Sequence, residues 1–364
     1  MRLEATAEQR ELQSAARELL TREVDPDRLL RWEQEPAGCD PALARTVAEL
    51  GWLGLGLPTE SGGGGADLSE VACLVEECAR GLLPRPLLGA IRASDALATL
   101  DPADALLPEL ARGSRCLALA LDEHGGREPG NWATSPSGPR GSRTVSGEKA
   151  YVPDAEQADV HLVLARDGSA PAPLLVERSA PGVSVRALRT FGGDRQAHVE
   201  YRDTPVLREI VSADGASSAL SRLLRRQSAL ALAEMTGGMT AVLEMTVEYV
   251  KLREQFGQKI AMFQAVRHQV ADMGTTCTAA RHLAWQTITR IAAGAPRDVG
   301  EASALAWVGQ AFKRVCWTAH HLHGGAGFVV EHRLRFHGER AQSLCIRWAP
   351  EAPALREIAA ALLD

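Results

Sequence analysis

What the sequence lacks narrows its function first. No apolar stretch approaches the ~20 residues needed to cross a bilayer, and the opening Met-Arg-Leu-Glu-Ala has no signal-peptide apolar core. No membrane partner is therefore expected. The seven cysteines, Cys39, Cys73, Cys78, Cys116, Cys277, Cys316 and Cys345, are odd in number and show no C-x-x-C spacing. That excludes a disulfide framework and a thiolate zinc site, and it suits reduced thiols in a cytoplasm. Aromatic residues make up only 4% of the chain, and 46 acidic residues outnumber 40 basic ones for a net charge of −6. With no basic stripe and no interleaved aromatics, nucleic acid is not an expected partner. The short run Arg222-Leu-Leu-Arg-Arg226 reads as the polar start of a helix. Lysine is also scarce beside Gly, Ala and Arg, a composition typical of a high-GC genome.

What is present is an ordinary globular balance, 45% hydrophobic and 24% charged, over 364 residues. That length suits two or three packed domains. Up to about Leu110 the patterns are helical: Leu12, Ala15, Ala16, Leu19 and Leu20 form one stripe, and Ala42, Leu43, Val47 and Leu50 a second. Between them and a helix over about 67–82 lies Glu60-Ser-Gly-Gly-Gly-Gly65. No Lys-Ser/Thr follows these glycines, so a structural loop is expected rather than a phosphate cradle. From about Cys116 to Val211 short β-like runs take over, including Cys116-Leu-Ala-Leu-Ala-Leu121, His161-Leu-Val-Leu-Ala165, Pro173-Leu-Leu-Val-Glu177 and His198-Val-Glu-Tyr201, with Gly/Pro/Ser/Asp turns between them. Long helical patterns then return to the end. The order all-α, all-β, all-α has no βαβ alternation, which excludes a doubly wound dinucleotide fold. The expected class is α+β. Residues 1–112 would be helical, 113–214 an antiparallel β-barrel or sandwich, and 215–364 a helical bundle.

One stretch in the last segment carries most of the information. Leu230, Glu234, Gly237, Ala241, Met245, Tyr249 and Leu252 recur at helical spacing. Gly257 is expected to cap that helix, with Arg253 and Phe256 leaving it on one face. A fixed cation beside an aromatic ring suits a ligand bearing both a phosphate and a planar ring.

Arg253-Glu-Gln-Phe-Gly257, then Phe263-Gln264, then Ala271-Asp-Met273 resembles the R-x-x-F-G…F-Q…A-D-M signature of the acyl-CoA dehydrogenase flavoproteins, and the resemblance extends in order along nearly the whole chain. It implies a helical domain, a β domain and a C-terminal four-helix bundle. It also implies FAD between the β domain and the bundle, its adenine end reaching a neighbouring subunit. On the same basis Arg253 would meet the FAD pyrophosphate, with Gln255 and Phe256 beside it and Gln264 near the adenosine. Gly324 and Gly325, in His323-Gly-Gly-Ala-Gly-Phe328, would approach the partner subunit's cofactor through bare backbone. His321 stands where the family usually has Gln, and could make a similar polar contact. Within Gly147-Glu-Lys-Ala-Tyr-Val-Pro-Asp-Ala155, Tyr151 would pack on the isoalloxazine. Pro153 replaces a common Thr and can offer the flavin neither a hydroxyl nor an N–H. Leu121-Asp-Glu-His-Gly-Gly126 replaces the hydroxyl-bearing T-E-x-x-A-G-S-D segment. Asp194-Arg195, at the family's substrate-gating turn, reads as surface. The cluster His320-His321-Leu-His323 spreads about 100° per residue around a helix, so no metal site is expected there.

The family's reaction needs a carboxylate to remove the α-proton of an acyl thioester while hydride leaves the β-carbon for flavin N5. The two positions that usually carry it hold Gln227 and Trp348/Ala349. The remaining acids are Glu351, a few positions on, and Glu234, in an apolar stripe where an ion pair would explain it as well. Three readings follow. The chain is an FAD-dependent acyl-CoA dehydrogenase with a relocated base; or it is the base-lacking subunit of a hetero-oligomer with another family chain; or its fold is recruited, with or without flavin, for other chemistry, redox or non-redox, on a CoA-bound or carrier-bound biosynthetic intermediate. The first two imply an electron-transferring flavoprotein as acceptor, and a homo- or hetero-oligomer.

Overall fold

A computed structural model describes residues 5–212 and 214–363. The described chain is 58% helical with a central, mainly antiparallel β region. Its backbone gathers into two compact units that do not follow the chain in simple blocks. One comprises residues up to 34, 67–83 and 228 onward; the other comprises residues 35–66 and 84–227.

The first unit is helical. It contains α1 (Ala7–Glu23), α2 (Pro26–Gln34), α4 (Leu68–Arg80), the greater part of α7 (Ala216–Leu252), α8 (Gln264–Ala292), α9 (Val299–His323), α10 (Arg333–Trp348) and α11 (Glu351–Leu363). The sequence starts α1 and α4 with capping boxes, Thr6 with Gln9 and Asp67 with Glu70. Each side chain accepts from the other's backbone N–H, satisfying donors that a helix start leaves unpaired. Residues 229–239 of α7 are buried all round. There Gly237 lets α4 come so close that a Cβ would lie 1.9 Å from the Glu76 carbonyl oxygen. Glu76 is buried, yet its carboxylate is well supplied: it accepts from Thr236 Oγ1, Arg281 and Trp285 Nε1 at 2.9–3.2 Å. The cost of burying that charge is thereby offset.

The second unit holds α3 (Pro41–Glu49), α5 (Arg85–Leu100), α6 (Leu107–Ala111) and two four-stranded sheets. The first sheet orders β1 (Leu117–Ala120), β4 (Val160–Asp167), β5 (Ala170–Glu177) and β8 (Arg208–Glu209). The second orders β2 (Ser135–Ser137), β3 (Thr144–Pro153), β7 (Gln196–Pro205) and β6 (Val183–Leu188). All pairs are antiparallel except β1 with β4, which run parallel in register Leu117↔Val160 to Ala120↔Val163. Small apolar residues fill the β core, among them Ala118, Val145, Val163, Leu174, Ala197 and Val199. Two polar groups inside it are paired. His161 Nε2 lies 3.1 Å from the Ala155 carbonyl, which can only accept, so Nδ1 accepts from the Tyr201 hydroxyl at 2.9 Å. Burial lowers the His161 pKa, in keeping with this neutral tautomer.

Asp194-Arg195 is not the exposed turn expected from sequence. Asp194 pairs with Arg85, and Arg195 donates to the backbone carbonyls of Glu35 and Pro36. These residues are distant in sequence, so the pattern held no sign of them.

Candidate functional site

The helix carrying Arg253 ends earlier than its periodicity suggested. α7 stops at Leu252, which is 73% exposed and so lies outside the buried stripe. Arg253 N–H still donates to the Tyr249 carbonyl at 2.8 Å, after which the chain forms a two-stranded ribbon, β9 (Glu254–Gln255) and β10 (Gln258–Lys259). Its two turn residues are Phe256 and Gly257, with φ of +54° and +79°. Gly257 is therefore a hairpin residue and not a helix C-cap, because two consecutive positive φ angles match the twist of a tight β-turn. Phe256 sits at the tip, 93% exposed, rather than on a helix face with Arg253. The ribbon closes with Ile260 N–H donating to the Arg253 carbonyl at 2.9 Å.

This geometry leaves a cation and a ring at an exposed edge. The Arg253 side chain is exposed, and its guanidinium has no hydrogen-bond or ion-pair partner among the described residues. Phe256 stands edge-on to Phe263, centroids 6.1 Å apart. Phe263 is the N-cap of α8, and the exposed Gln264 opens that helix. Gln255 is exposed as well, its amide donating to the Glu254 carbonyl at 2.6 Å.

The glycine turn lies beside this edge within the same unit. The Tyr249 ring stacks on His323, centroids 4.2 Å apart and 14° from parallel, and its hydroxyl donates to the His323 carbonyl at 3.2 Å. The ends of α7 and α9 are thus tied together one turn before Arg253 and one residue before Gly324. Gly324 has φ +57° and ψ −141°, a conformation essentially reserved for glycine. Nothing lies within 4 Å of a Cβ built on either Gly324 or Gly325, so both backbones face open space. His321 is exposed at the end of α9, while His323 is buried under Tyr249. The anion-holding part of a dinucleotide fits this set: an exposed guanidinium without a partner among the described residues, an exposed ring and a Cβ-free backbone turn.

Tyr151 belongs to the other unit. It sits in the irregular stretch of β3 between Lys149 and Val152 with φ +56°, and is 48% exposed. Pro153 closes the strand opposite Gln196. The sequence reading passed over the pair that organises this edge. Lys149, fully buried, donates to Glu123 Oε1 at 2.8 Å and lies 4.7 Å from the centre of the Trp132 ring. Glu123 also accepts from the backbone N–H groups of Ala133 and Thr134. Burial alone would raise the Glu123 pKa, but these donors outweigh it and hold the carboxylate below its usual range. The signal was available in Asp122-Glu123 and in the lysine of the Gly147-x-Lys149 segment.

The usual base positions are filled by packing. Gln227 is fully buried; its amide donates to the Arg92 carbonyl at 3.0 Å while Arg92 Nη2 donates to the Gln227 carbonyl at 2.9 Å. Trp348 and Ala349 are 5% and 2% exposed, and a Cβ on Gly309 would come 2.7 Å from the Ala349 Cβ. Glu351 is exposed in the first turn of α11, accepting from Gln310 Nε2 at 2.9 Å. An acid there suits the positive end of the helix dipole. Glu234 is buried near Arg340; burial lowers the Arg340 pKa, and the attraction of Glu234 opposes that shift.

Comparison with known proteins agrees with this architecture. The N-terminal domain of acyl-CoA dehydrogenases matches residues 6–114 and the C-terminal domain matches residues 213–350. The chain belongs to the acyl-CoA dehydrogenase family, whose members are FAD-dependent flavoproteins. It is 30% identical to acyl-CoA dehydrogenase IpdE2 of Mycobacterium tuberculosis, over 84% of this chain and 81% of that protein. Its fold superposes on the ChsE4-ChsE5 complex from Mycobacterium tuberculosis with a TM-score of 0.91 at 26% identity, covering 100% and 99% of the two chains. The Tcur3481-Tcur3483 steroid ACAD variant gives 0.89 at 28% identity, with 98% of each chain covered.

Proposed function

We propose that this chain is the base-lacking subunit of an FAD-dependent acyl-CoA dehydrogenase that pairs with a second, base-bearing chain of the same family. One observation carries the reading: both positions that would hold the carboxylate are occupied by non-acidic residues locked into the core, Gln227 against Arg92 and Ala349 against Gly309. An amide cannot accept the α-proton, and neither an indole nor a methyl side chain carries a base. Two of the structures this chain resembles carry paired names, ChsE4-ChsE5 and Tcur3481-Tcur3483, which supports assembly with a homologue.

FAD, when bound, supplies the acceptor for the hydride leaving the β-carbon. The part left to this chain is binding. Arg253 would neutralise pyrophosphate, Phe256 and Gln264 would flank the nucleotide, and Gly324-Gly325 would bring backbone to the cofactor shared across the subunit boundary. Gln255 and His321 would add polar contacts at the same edge, and Tyr151 would cover the ring system. An acyl thioester is the substrate class of the assembly, and an electron-transferring flavoprotein its acceptor.

The test is a visible spectrum of the chain purified alone and after co-expression with a family homologue. The expected result is flavin absorbance only in the co-purified complex, bleached by an acyl-CoA. Flavin retained by the isolated chain and bleached by acyl-CoA would overturn the base-lacking assignment. A colourless isolated chain that acts on a thioester would favour non-redox chemistry on this fold.

A further inference from the structure

The sequence suggested no metal site, its one candidate being the histidine cluster at the end of α9. A different set does converge. His124, Glu148 and His198 each direct one ligand atom into a space where the three atoms lie within 4.8 Å of one another, the one such grouping among the described residues. We propose that these residues bind a first-row divalent transition ion of the Zn2+ class, with its remaining coordination positions open to water.

The local structure explains the convergence. Glu148 is opposite Glu200 in the β3–β7 ladder, so His198, two residues before Glu200, is its diagonal neighbour on the same sheet face. His198 Nε2 lies 3.2 Å from Glu148 Oε2. His124 comes from a tight turn closed by Glu123 N–H to the Gly126 carbonyl at 3.1 Å and Gly126 N–H to the Glu123 carbonyl at 2.9 Å. The buried Glu123–Lys149 pair anchors that turn, so the residue before His124 is fixed to the strand that carries Glu148. The two imidazoles stack, centroids 5.5 Å apart and 27° from parallel. Arg202, the nearby cation, is engaged by both oxygens of Glu200.

Two imidazoles and one carboxylate are a donor set for Zn2+, Co2+ or Ni2+ rather than for Mg2+ or Ca2+, which take oxygen ligands. Zinc bonds of about 2.0–2.2 Å put tetrahedral ligand atoms roughly 3.4 Å apart, so a pair at the 4.8 Å limit needs to close by about 1.4 Å. His124 and Glu148 are exposed and His198 half-buried, which leaves the rotamers free to make that adjustment. Three ligands with open positions match the pattern of sites that bind water or a substrate atom.

The experiment uses the full chain stripped with EDTA and titrated with Zn2+ against a chromophoric chelator, with Co2+ as a spectroscopic probe. One saturable ion per chain is expected, with Co2+ ligand-field bands and no thiolate charge-transfer band. His124→Ala and His198→Ala should each weaken binding by at least about tenfold, and Glu148→Gln should do the same with the least change of shape. Cys116→Ser, which removes the exposed thiol, should leave binding intact. Matching thermal melts of the variants and the stripped parent would show that the fold persists. A parent that takes up no ion, a His124→Ala/His198→Ala double variant that binds as the parent does, or loss of binding with Cys116→Ser would each overturn the proposal. Flavin absorbance recorded on the same samples keeps this result separate from that of the cofactor reading.

Discussion

Arg253 is a strong cation without a side-chain partner among the described residues, held at a helix end by its own backbone and facing solvent. A charge-assisted hydrogen bond contributes about 1.5–3 kcal/mol, so Arg253→Gln in the co-expressed complex should weaken FAD retention by roughly 10- to 100-fold. The measurement is the ratio of flavin to protein absorbance after gel filtration, with an unchanged melting temperature as control. An unchanged ratio would remove Arg253 from the binding set. A second residue-scale expectation concerns pH. His337 is fully buried, with neither ring nitrogen hydrogen-bonded among the described residues, and burial holds its pKa well below the usual value. Burial, aided by the nearby His332 and His320, likewise lowers His323 to about 4. Both stay neutral in the fold but take up a proton near pH ~6.5 once unfolded. Their contribution is therefore complete above that pH and declines as pH falls toward the folded values, at about 1.4 kcal/mol per pH unit for each histidine. Chemical denaturation at pH 7, 6 and 5 should show that slope, and His337→Leu should flatten it. Equal stability of the parent at pH 7 and pH 5 would refute the assignment.

Among the elements, the contact between α4 and α7 is the most sensitive to side-chain size. With the Glu76 carbonyl where a Gly237 Cβ would sit, Gly237→Val must push the helices apart or bend one of them. Overpacking of this kind typically costs about 1–3 kcal/mol. It would also disturb the Glu76 carboxylate with its donors from α7 and α8, so the loss should lie at the upper end of that range. Gly274, on the same bundle's α8 with open space around it, is the control: Gly274→Ala should be neutral or slightly stabilising, since alanine favours the helix. Equal melting temperatures for the two variants would show that α4 and α7 do not meet as described.

At the scale of the molecule, the first unit exposes several large apolar side chains. Leu252, Phe256 and Met262 cluster in sequence around the ribbon, and Trp317 and Ile346 add to the exposed apolar surface of that unit. If the ribbon enters a partner subunit, Phe256→Asp should lower the fraction of assembled complex by tenfold or more in light scattering coupled to gel filtration, without altering the secondary structure of the isolated chain. Co-purification undiminished by that change would place the subunit contact elsewhere. No helix among the described residues is long and apolar enough to cross a membrane.

What the sequence determined by itself is what lies in contiguous words: the α, β, α order, the Arg253–Phe256–Gln264 run, the glycine pair at 324–325, and the absence of an acid at positions 227 and 348–349. Helical and strand periodicities are local, and a signature spread over some twenty residues keeps its spacing in any fold that contains it. Tertiary structure decided the remainder. It turned Gly257 into a hairpin residue, locked Gln227 to Arg92, tied Arg195 to Glu35, and brought His124, Glu148 and His198 to one face. Those pairings join residues up to 160 positions apart. Only the three-dimensional path of the chain decides which distant side chains meet, and no linear period encodes that path.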